Sequence, residues 1–404
     1  MIIGIIGGGA SGMAAAIAAA QHPENHVVLL ERQSRVGKKL LATGNGRCNL
    51  SNVHALQRPY HGEQADFSQF ALHEMPPEKT LSWFRDLGLL TVCESSGRVY
   101  PYSDQANSVV DVLRFALQKS NITLYTGFDV QKIHRNENGF SVDNGETLID
   151  CDRLIVACGG LAGTKLGGSM AGYKLLGKLG HKSTRLRPAL VQLKTRWKGV
   201  SALKGVRCNC AVEILKDRNV FSQSTGEIQF TDYGLSGPVI FEVSRDACYG
   251  SGEWLAKLDF LPSVSREDLL KEFAHRKDTE LPAEELLTGI LHNRLGRVLT
   301  KVAGLRNDVP IRDLTQQEFE AVCSAVKCFE ISLDEPLGMD SAQVTAGGVY
   351  TKDFNPETLE SKLVPGLYAC GEVLDVDGDC GGYNLQWAWS SGYLAGTSAG
   401  KENI

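Results

Sequence analysis

Residues 2–12 read Ile-Ile-Gly-Ile-Ile-Gly-Gly-Gly-Ala-Ser-Gly, and the fold turns on how they are read. Ile2 to Ile6 is a short apolar run, the pattern of a buried parallel strand. Gly7-Gly8-Gly9-Ala10-Ser11-Gly12 then matches G-x-G-x-x-G, and an Ala-rich helix is expected to about Gln21. Val27 to Leu30 is a second apolar strand, ending at Glu31. Strand, glycine turn, helix and strand together make a β-α-β unit, the context in which this hexapeptide binds a dinucleotide. Gly7 permits the tight turn, Gly9 lets the backbone reach a pyrophosphate, and Gly12 lets helix and strand pack closely. Ala10 and Ser11 open the helix, whose N-terminus offers free N–H groups and partial positive charge to phosphate. Glu31 is placed to hold an adenosine ribose hydroxyl.

Composition sets the outer limits. The 404 residues suit more than one domain and leave length for a substantial core. The net charge is −5 and no basic stripe is evident, so nucleic acid is not an expected partner. The 11 cysteines are odd in number and lack any CxxC; Cys208 and Cys210 form a lone CxC. That pattern fits packed thiols of a reducing compartment better than zinc ligands, and no metal is expected. Met1 to Ala20 is uncharged, but no basic residue precedes its apolar stretch and five glycines interrupt it. A signal peptide or membrane span is therefore not expected, and a cytoplasmic location is.

Farther along, Arg35 to Asn52 is polar and glycine-punctuated, a functional loop. A helix capped by Ser103 or Asp104 is expected to run to Lys119, followed by strands at Ile122–Tyr125, Val130–His134, Phe140–Val142 and Leu154–Ala157. The texture changes near Pro188. Strand-like stretches such as Cys208–Leu215 and Glu227–Phe230 fill residues 189–262. Helical patterns fill 263–336, one starting at Ser265. The glycine-rich texture then returns, with a final helix from Asn384 to about Ser398. The expected fold class is α/β. Its nucleotide-binding domain (residues 1–188 and 337–404) is interrupted by a β-rich domain (189–262) and a helical domain (263–336).

Two features point to FAD rather than NAD. The motif stands near the first residue of the chain, with its domain completed by the last 70 or so residues. Gly366-Leu367-Tyr368-Ala369-Cys370-Gly371-Glu372 also looks like the strand-then-Gly-acid segment that holds ribityl and pyrophosphate in two-dinucleotide-fold flavoproteins. Those proteins usually carry Asp where this chain has Glu372. Leu154 to Gly160, with Gly159-Gly160 at its end, resembles their central strand-to-glycine crossing.

Thr43-Gly44-Asn45-Gly46-Arg47-Cys48-Asn49 can aim several N–H groups at one anion, with Arg47 adding a fixed cation. Its expected targets are the pyrophosphate and flavin ring, and Cys48 reads as a non-catalytic thiol. In the stretch from Gly371 to Trp389, Asp375, Asp377 and Asp379 mimic a Ca²⁺ loop, but Cys380 breaks the pattern. Gly381-Gly382 followed by Asn384, Leu385 and Gln386 reads as a helix N-terminus aimed at the electron-rich side of a reduced flavin.

The segments IIGGGASGMAAA, GKKLLATGNGRCNLSN, GEIQFTDYGLSGP, QVTAGGVY and ESKLVPGLYACGEVLDVDGDCGGYNLQWAWSSG resemble the HI0933-like family of bacterial NAD(P)/FAD-dependent oxidoreductases. They span nearly the whole chain. The resemblance implies a two-dinucleotide-type FAD domain interrupted by a β-rich and a helical domain, and it adds Arg32, Lys39 and Val130 to the expected cofactor contacts. One departure is Asp232, where relatives carry His in FTHxGLSGP. Relatives are linked to reduction of conjugated double bonds in bile-acid intermediates and to oxidation of aminoacetone.

The expected function is an oxidoreductase that reduces an activated C=C bond in a small organic substrate. NAD(P)H is expected to bind transiently, since no second G-x-G-x-x-G is evident. Asp232, Tyr233 and Tyr383 are candidate acids. The alternatives are an O₂-using oxidase of an amine or hydroxy compound, a non-enzymatic FAD sensor, and a nucleic-acid-modifying flavoprotein.

Overall fold

The structure, a computed structural model, describes residues 1–57, 60–306 and 308–401, with Ala65 described by its backbone alone. The chain forms two compact units, Met1–Pro188 with Gln343–Ile404, and Ala189–Ala342.

The first unit is organised by a parallel sheet. In chain order its strands are β1 (Ile2–Ile6), β2 (His26–Glu31), β3 (Ile122–Thr126), β4 (Arg153–Val156) and β5 (Leu367–Ala369). Their spatial order is β5-β4-β1-β2-β3, every pairing parallel. The central strands are apolar on both faces because helices and loops cover both. Ile3, Ile5, Leu29, Leu154 and Ile155 are fully buried, each such side chain contributing about 1.5–3 kcal/mol. The expected β-α-β unit is present, with helix α1 at Ala10–Ala19. Helix α1 is not amphipathic. Residues Ser11 to Ala19 are all buried, so alanine is needed on every face. Its principal partner is α2 (Tyr383–Gly400).

Elsewhere in this unit the structure departs from expectation in detail. The helix at Ala106–Ala116 is preceded by Gln105, with no side-chain cap. Asp104 is drawn away by Arg47, and the Ser103 hydroxyl donates to that of Ser108 at 2.7 Å. A three-stranded antiparallel sheet (Lys132–Asn136, Gly139–Asp143, Leu148–Cys151) includes a third strand that lacks a clear alternating pattern. The final helix begins one residue early, at Tyr383.

The second unit contains a closed six-stranded barrel. Its circuit runs Leu193–Thr195, Gly234–Ser236, Asn219–Phe230, Arg207–Lys216, Trp254–Asp259 and Phe329–Pro336. Closure removes the edges that an open sheet would expose. Helices Arg266–His275, Asn293–Val302 and Gln316–Lys327 follow, the first capped by Ser265 as expected and the last by a Thr315–Glu318 capping box. Barrel residues such as Phe230 and Ile214 and helix residues such as Phe273 and Leu299 share one apolar cluster. A division of this unit into a β-rich 189–262 and a helical 263–336 stands as a proposal from sequence texture.

Candidate functional site

The three motif glycines of the hexapeptide, Gly7, Gly9 and Gly12, have three different surroundings. Gly7 has φ +112°, and a side chain there would run into the backbone of Ala157. A Cβ on Gly12 would overlap the Gly7 carbonyl oxygen, so α1 sits as close to the turn as backbone permits. At Gly9, by contrast, a Cβ would meet nothing within 4 Å. Gly9 is also the N-cap of α1, and its helix has no side-chain cap and no acidic residue in the first turn. The first N–H groups of α1 are thus left for an anion, and the open face at Gly9 is where a pyrophosphate would approach.

Glu31, at the end of β2, is buried with its carboxylate accepting from Gly8 N–H and Gln33 N–H, both at 2.7 Å. This fixes the acid beside the turn. The backbone of Gly127 and Phe128 is stitched to Gln33 and Glu31 by bonds of 2.9 Å, which brings the segment leading to Val130 alongside. Val130 itself is buried. Arg32 donates to the Gly167 carbonyl at 2.5 Å.

Residues far apart in sequence converge on Glu372. Lys39 Nζ lies 2.8 Å from one carboxylate oxygen, and the Thr345 N–H donates to the other at 2.8 Å. A side chain on Gly160 would collide with the Glu372 carboxylate, while Gly159 faces open space. Gly371 packs against Ser11 of α1 and donates to the Ser391 hydroxyl at 3.0 Å. The N-terminal turn, the Lys39 loop, the Gly159-Gly160 crossing and the Gly371-Glu372 segment are therefore brought together.

The loop from Thr43 to Asn49 is tightly coiled, with positive φ at Gly44, Asn45, Gly46 and Cys48. Arg47 does not point at an open anion site. It pairs with Asp104 and, at 3.2 Å, with Glu94, and it stacks over the Tyr100 ring at 4.0 Å. Cys48 is fully buried, and burial pushes its thiol up to about 12. Asn49 Oδ1 is buried with no hydrogen-bond partner among the described residues, and it sits beside Gly382. Gly382 caps α2 in the left-handed region, φ +101°, and a Cβ there would clash with the Ser51 carbonyl.

Past that cap, Asn384 is turned back on its own loop. Its Oδ1 accepts from Gly378 N–H at 2.9 Å and its Nδ2 donates to the Gly378 carbonyl at 2.7 Å. Leu385 is partly exposed. Gln386 is fully buried and serves as a core hub. Its Oε1 accepts from the Ser51 hydroxyl at 2.6 Å, and its Nε2 reaches Met75 O, Thr80 Oγ1 and Ser390 Oγ within 2.8–2.9 Å.

Sequence reading missed His61. Its Nε2 lies 2.8 Å from Asp379 Oδ1, and nothing in the local sequence links positions 61 and 379. Asp232 pairs with Lys204 at 2.8 Å, which holds its carboxyl below the usual range. Among the described residues no His, Cys, Asp and Glu group could hold a metal, and no helix is long and apolar enough to cross a membrane.

The HI0933-like protein Rossmann domain family matches residues 1–398. The chain is 41% identical over 403 residues to a 3-dehydro-bile acid delta(4,6)-reductase of Clostridium scindens, covering 98% of each chain. It is 30% identical over 392 residues to a ribosomal RNA dihydrouridine synthase of Escherichia coli, covering 96% of this chain and 95% of the relative. A ribosomal RNA dihydrouridine synthase of Haemophilus influenzae is 28% identical over 404 residues, covering 98% of each. With its glycine turn, uncapped helix and buried acid at the end of β2, the chain belongs to the HI0933-like family, a flavin-dependent oxidoreductase on a Rossmann-like FAD-binding fold.

Proposed function

We propose that this protein reduces a carbon–carbon double bond conjugated with a carbonyl in a small organic substrate, with NAD(P)H as a transient electron donor. The observation that carries this reading is the 41% identity, over 98% of both chains, to a reductase named for two conjugated double bonds. When bound, FAD supplies hydride transfer between donor and substrate. The chain's own residues supply the rest. Gly9 and the first turn of α1 receive the pyrophosphate, and Glu31 receives the ribose. Glu372, held by Lys39 and Thr345, presents a carboxylate to the ribityl hydroxyls. Gly159 leaves open space for the cofactor, while Gly160 and Gly382 let the Glu372 carboxylate and the Ser51 carbonyl pack directly against backbone.

The proposed contacts also include Arg47 and Asn49. Asn49 brings an unpaired oxygen to the start of α2. Arg47 requires release from Glu94 and Asp104 to reach an anion.

A second reading rests on the two ribosomal RNA dihydrouridine synthases. The C5=C6 bond of uracil is also conjugated with a carbonyl, so the chemistry is shared and only the substrate differs. Charge favours the small molecule. Residues 189–342 hold 19 Lys and Arg against 23 Asp and Glu. Exposed cations there, such as Lys194, Arg196, Lys204 and Arg207, each face a carboxylate. Phosphate recognition needs cations that are free to neutralise it.

The test is an anaerobic titration of FAD-loaded protein with NADH and NADPH, followed by addition of a conjugated enone steroid or a uridine-containing ribosomal RNA fragment. Bleaching by the donor and recovery by the enone support the proposal. Recovery by RNA alone transfers it to the second reading. Failure to bleach, with peroxide release from an amine or alcohol in air, replaces it with an oxidase.

A further inference from the structure

We infer that His61 is the proton donor of this reduction and that Asp379 is the residue that positions it; the inference rests on the proposed C=C reduction. The pair is built by backbone. His61 N–H donates to the Asp377 carbonyl at 2.7 Å and Asp377 N–H returns a bond to His61 O at 3.1 Å. This bridge sets the side chain of Asp379, two residues on, against the imidazole, with Nε2 2.8 Å from Oδ1. The side chains are 31% and 20% exposed, so the pair is neither sealed in the core nor free on the surface.

The carrier loop is hydrogen-bonded at both ends. Glu63 N–H donates to Asp375 Oδ2 at 3.0 Å, Asn384 clasps Gly378, the Tyr60 hydroxyl donates to the Tyr383 carbonyl at 3.0 Å, and Asn52 Nδ2 donates to the Gly381 carbonyl at 2.9 Å. Groups fixed on such a frame keep the geometry that proton transfer requires. Asp379 stands just before Gly381-Gly382, where the start of α2 meets Asn49 and Ser51. The pair is therefore set where the two proposed flavin-binding loops join.

Asp232, Tyr383 and Tyr60 suit the step less well. Lys204 keeps Asp232 ionised, Tyr383 is buried, and the Tyr60 hydroxyl is already donated while burial raises it far above its ordinary range.

With Nε2–H given to Asp379, the proton to be transferred is the Nδ1–H of the imidazolium. Bound FAD, reduced by NAD(P)H, would supply the hydride that the β-carbon takes. The π pair moves toward the carbonyl, the α-carbon takes the Nδ1 proton, and the neutral imidazole recovers its proton from solvent.

The experiment uses holoenzyme and the variants His61→Gln, Asp379→Asn and Asp379→Glu, with two readouts. One is reoxidation of NAD(P)H-reduced enzyme by an enone steroid. The other, without turnover, is binding of p-chlorophenol as an enolate mimic, followed by its charge-transfer absorbance. His61→Gln is expected to accept electrons from NAD(P)H as wild type does, and to be reoxidised about 10²-fold more slowly or worse. It is expected to bind the phenol about tenfold more weakly, the loss of one charge-assisted hydrogen bond. Asp379→Asn should show part of both losses and Asp379→Glu should recover wild-type behaviour. If His61→Gln fails to hold FAD, Asp379→Asn, which leaves the backbone bridge in place, carries the test. Wild-type reoxidation rate and phenol affinity in His61→Gln overturn the inference. A wild-type enzyme that no enone reoxidises defeats the proposed function instead, and the phenol titration still decides whether His61 donates into the flavin site.

Discussion

Single residues in this chain separate cofactor binding from folding. Gly9 and Gly12 belong to one motif, yet a methyl group at Gly9 enters open space and one at Gly12 enters the Gly7 carbonyl. Gly9→Ala should therefore keep its melting temperature without FAD while retaining less flavin on purification. Gly12→Ala should destabilise the fold itself by about 1–3 kcal/mol or more, as overpacking does. Thermal melts of both apo-proteins, beside flavin-to-protein absorbance ratios, check the contrast. Equal loss of stability in the two variants would contradict it. Thiol chemistry gives a second check at this scale. Burial raises Cys48 to about 12 and Cys370 likewise, so little thiolate exists at pH 8. Exposed Cys93 and Cys328 should react first with iodoacetamide, read by peptide mass spectrometry, and Cys48 should react only on unfolding.

At the level of elements, α1 and α2 are the pair on which the FAD-binding unit depends. Gly392 and Gly396 of α2 lie against the carbonyl oxygens of Ser11 and Ala15, leaving no room for a Cβ. Glycine on one helix and alanine on the other bring the two backbones together, and through Ser11 they fix the N-terminal end of α1. Gly396→Val should cost at least about 3 kcal/mol, since both the close approach and the helix geometry suffer. Chemical denaturation measures this, and a loss below 1 kcal/mol would mean that the helices can separate cheaply. Gln386 joins α2 to Ser51, Met75 and Thr80. Gln386→Leu strands several buried polar groups at about 1–3 kcal/mol each. It should lower stability while leaving the flavin spectrum of the surviving holoenzyme unchanged. The Gly-Gly-Tyr-Asn-Leu-Gln run reads in sequence as one ligand-facing turn. In the structure Asn384 is bonded to Gly378 of its own loop and Gln386 is buried in the core.

For the whole molecule, ligand binding and charge make the accessible predictions. A cofactor that binds only the folded chain stabilises it by mass action, about 2.7 kcal/mol at a concentration of 100 Kd. Added FAD should raise the melting temperature of apo-protein in proportion to the logarithm of its concentration. AMP alone, which the proposed contacts bring to Glu31 but not to Glu372, should give a smaller shift. A chain of net charge −5, with exposed cations such as Lys204 and Arg207 paired with carboxylates, should pass through heparin at 0.15 M salt. Retention there would favour the ribosomal RNA reading.

Sequence alone determined the dinucleotide unit, because its signals are local. An apolar strand, a glycine turn and an acid at the next strand end each act over a few residues, and their spacing is set by one β-α-β geometry. The same holds for the Ser265 helix cap. Tertiary structure decided everything that depends on contacts across the chain. It joined Lys39 to Glu372 and His61 to Asp379, gave Arg47 to Glu94 and Asp104, and sank Cys48 and Gln386 into the core. It also closed weakly patterned strands such as Asn219–Phe230 into a barrel. The physical reason is that a polar side chain carries no mark of its partner: whether it meets a cofactor, a carboxylate or a buried hydroxyl is settled only when distant segments pack and each buried group must find a bond.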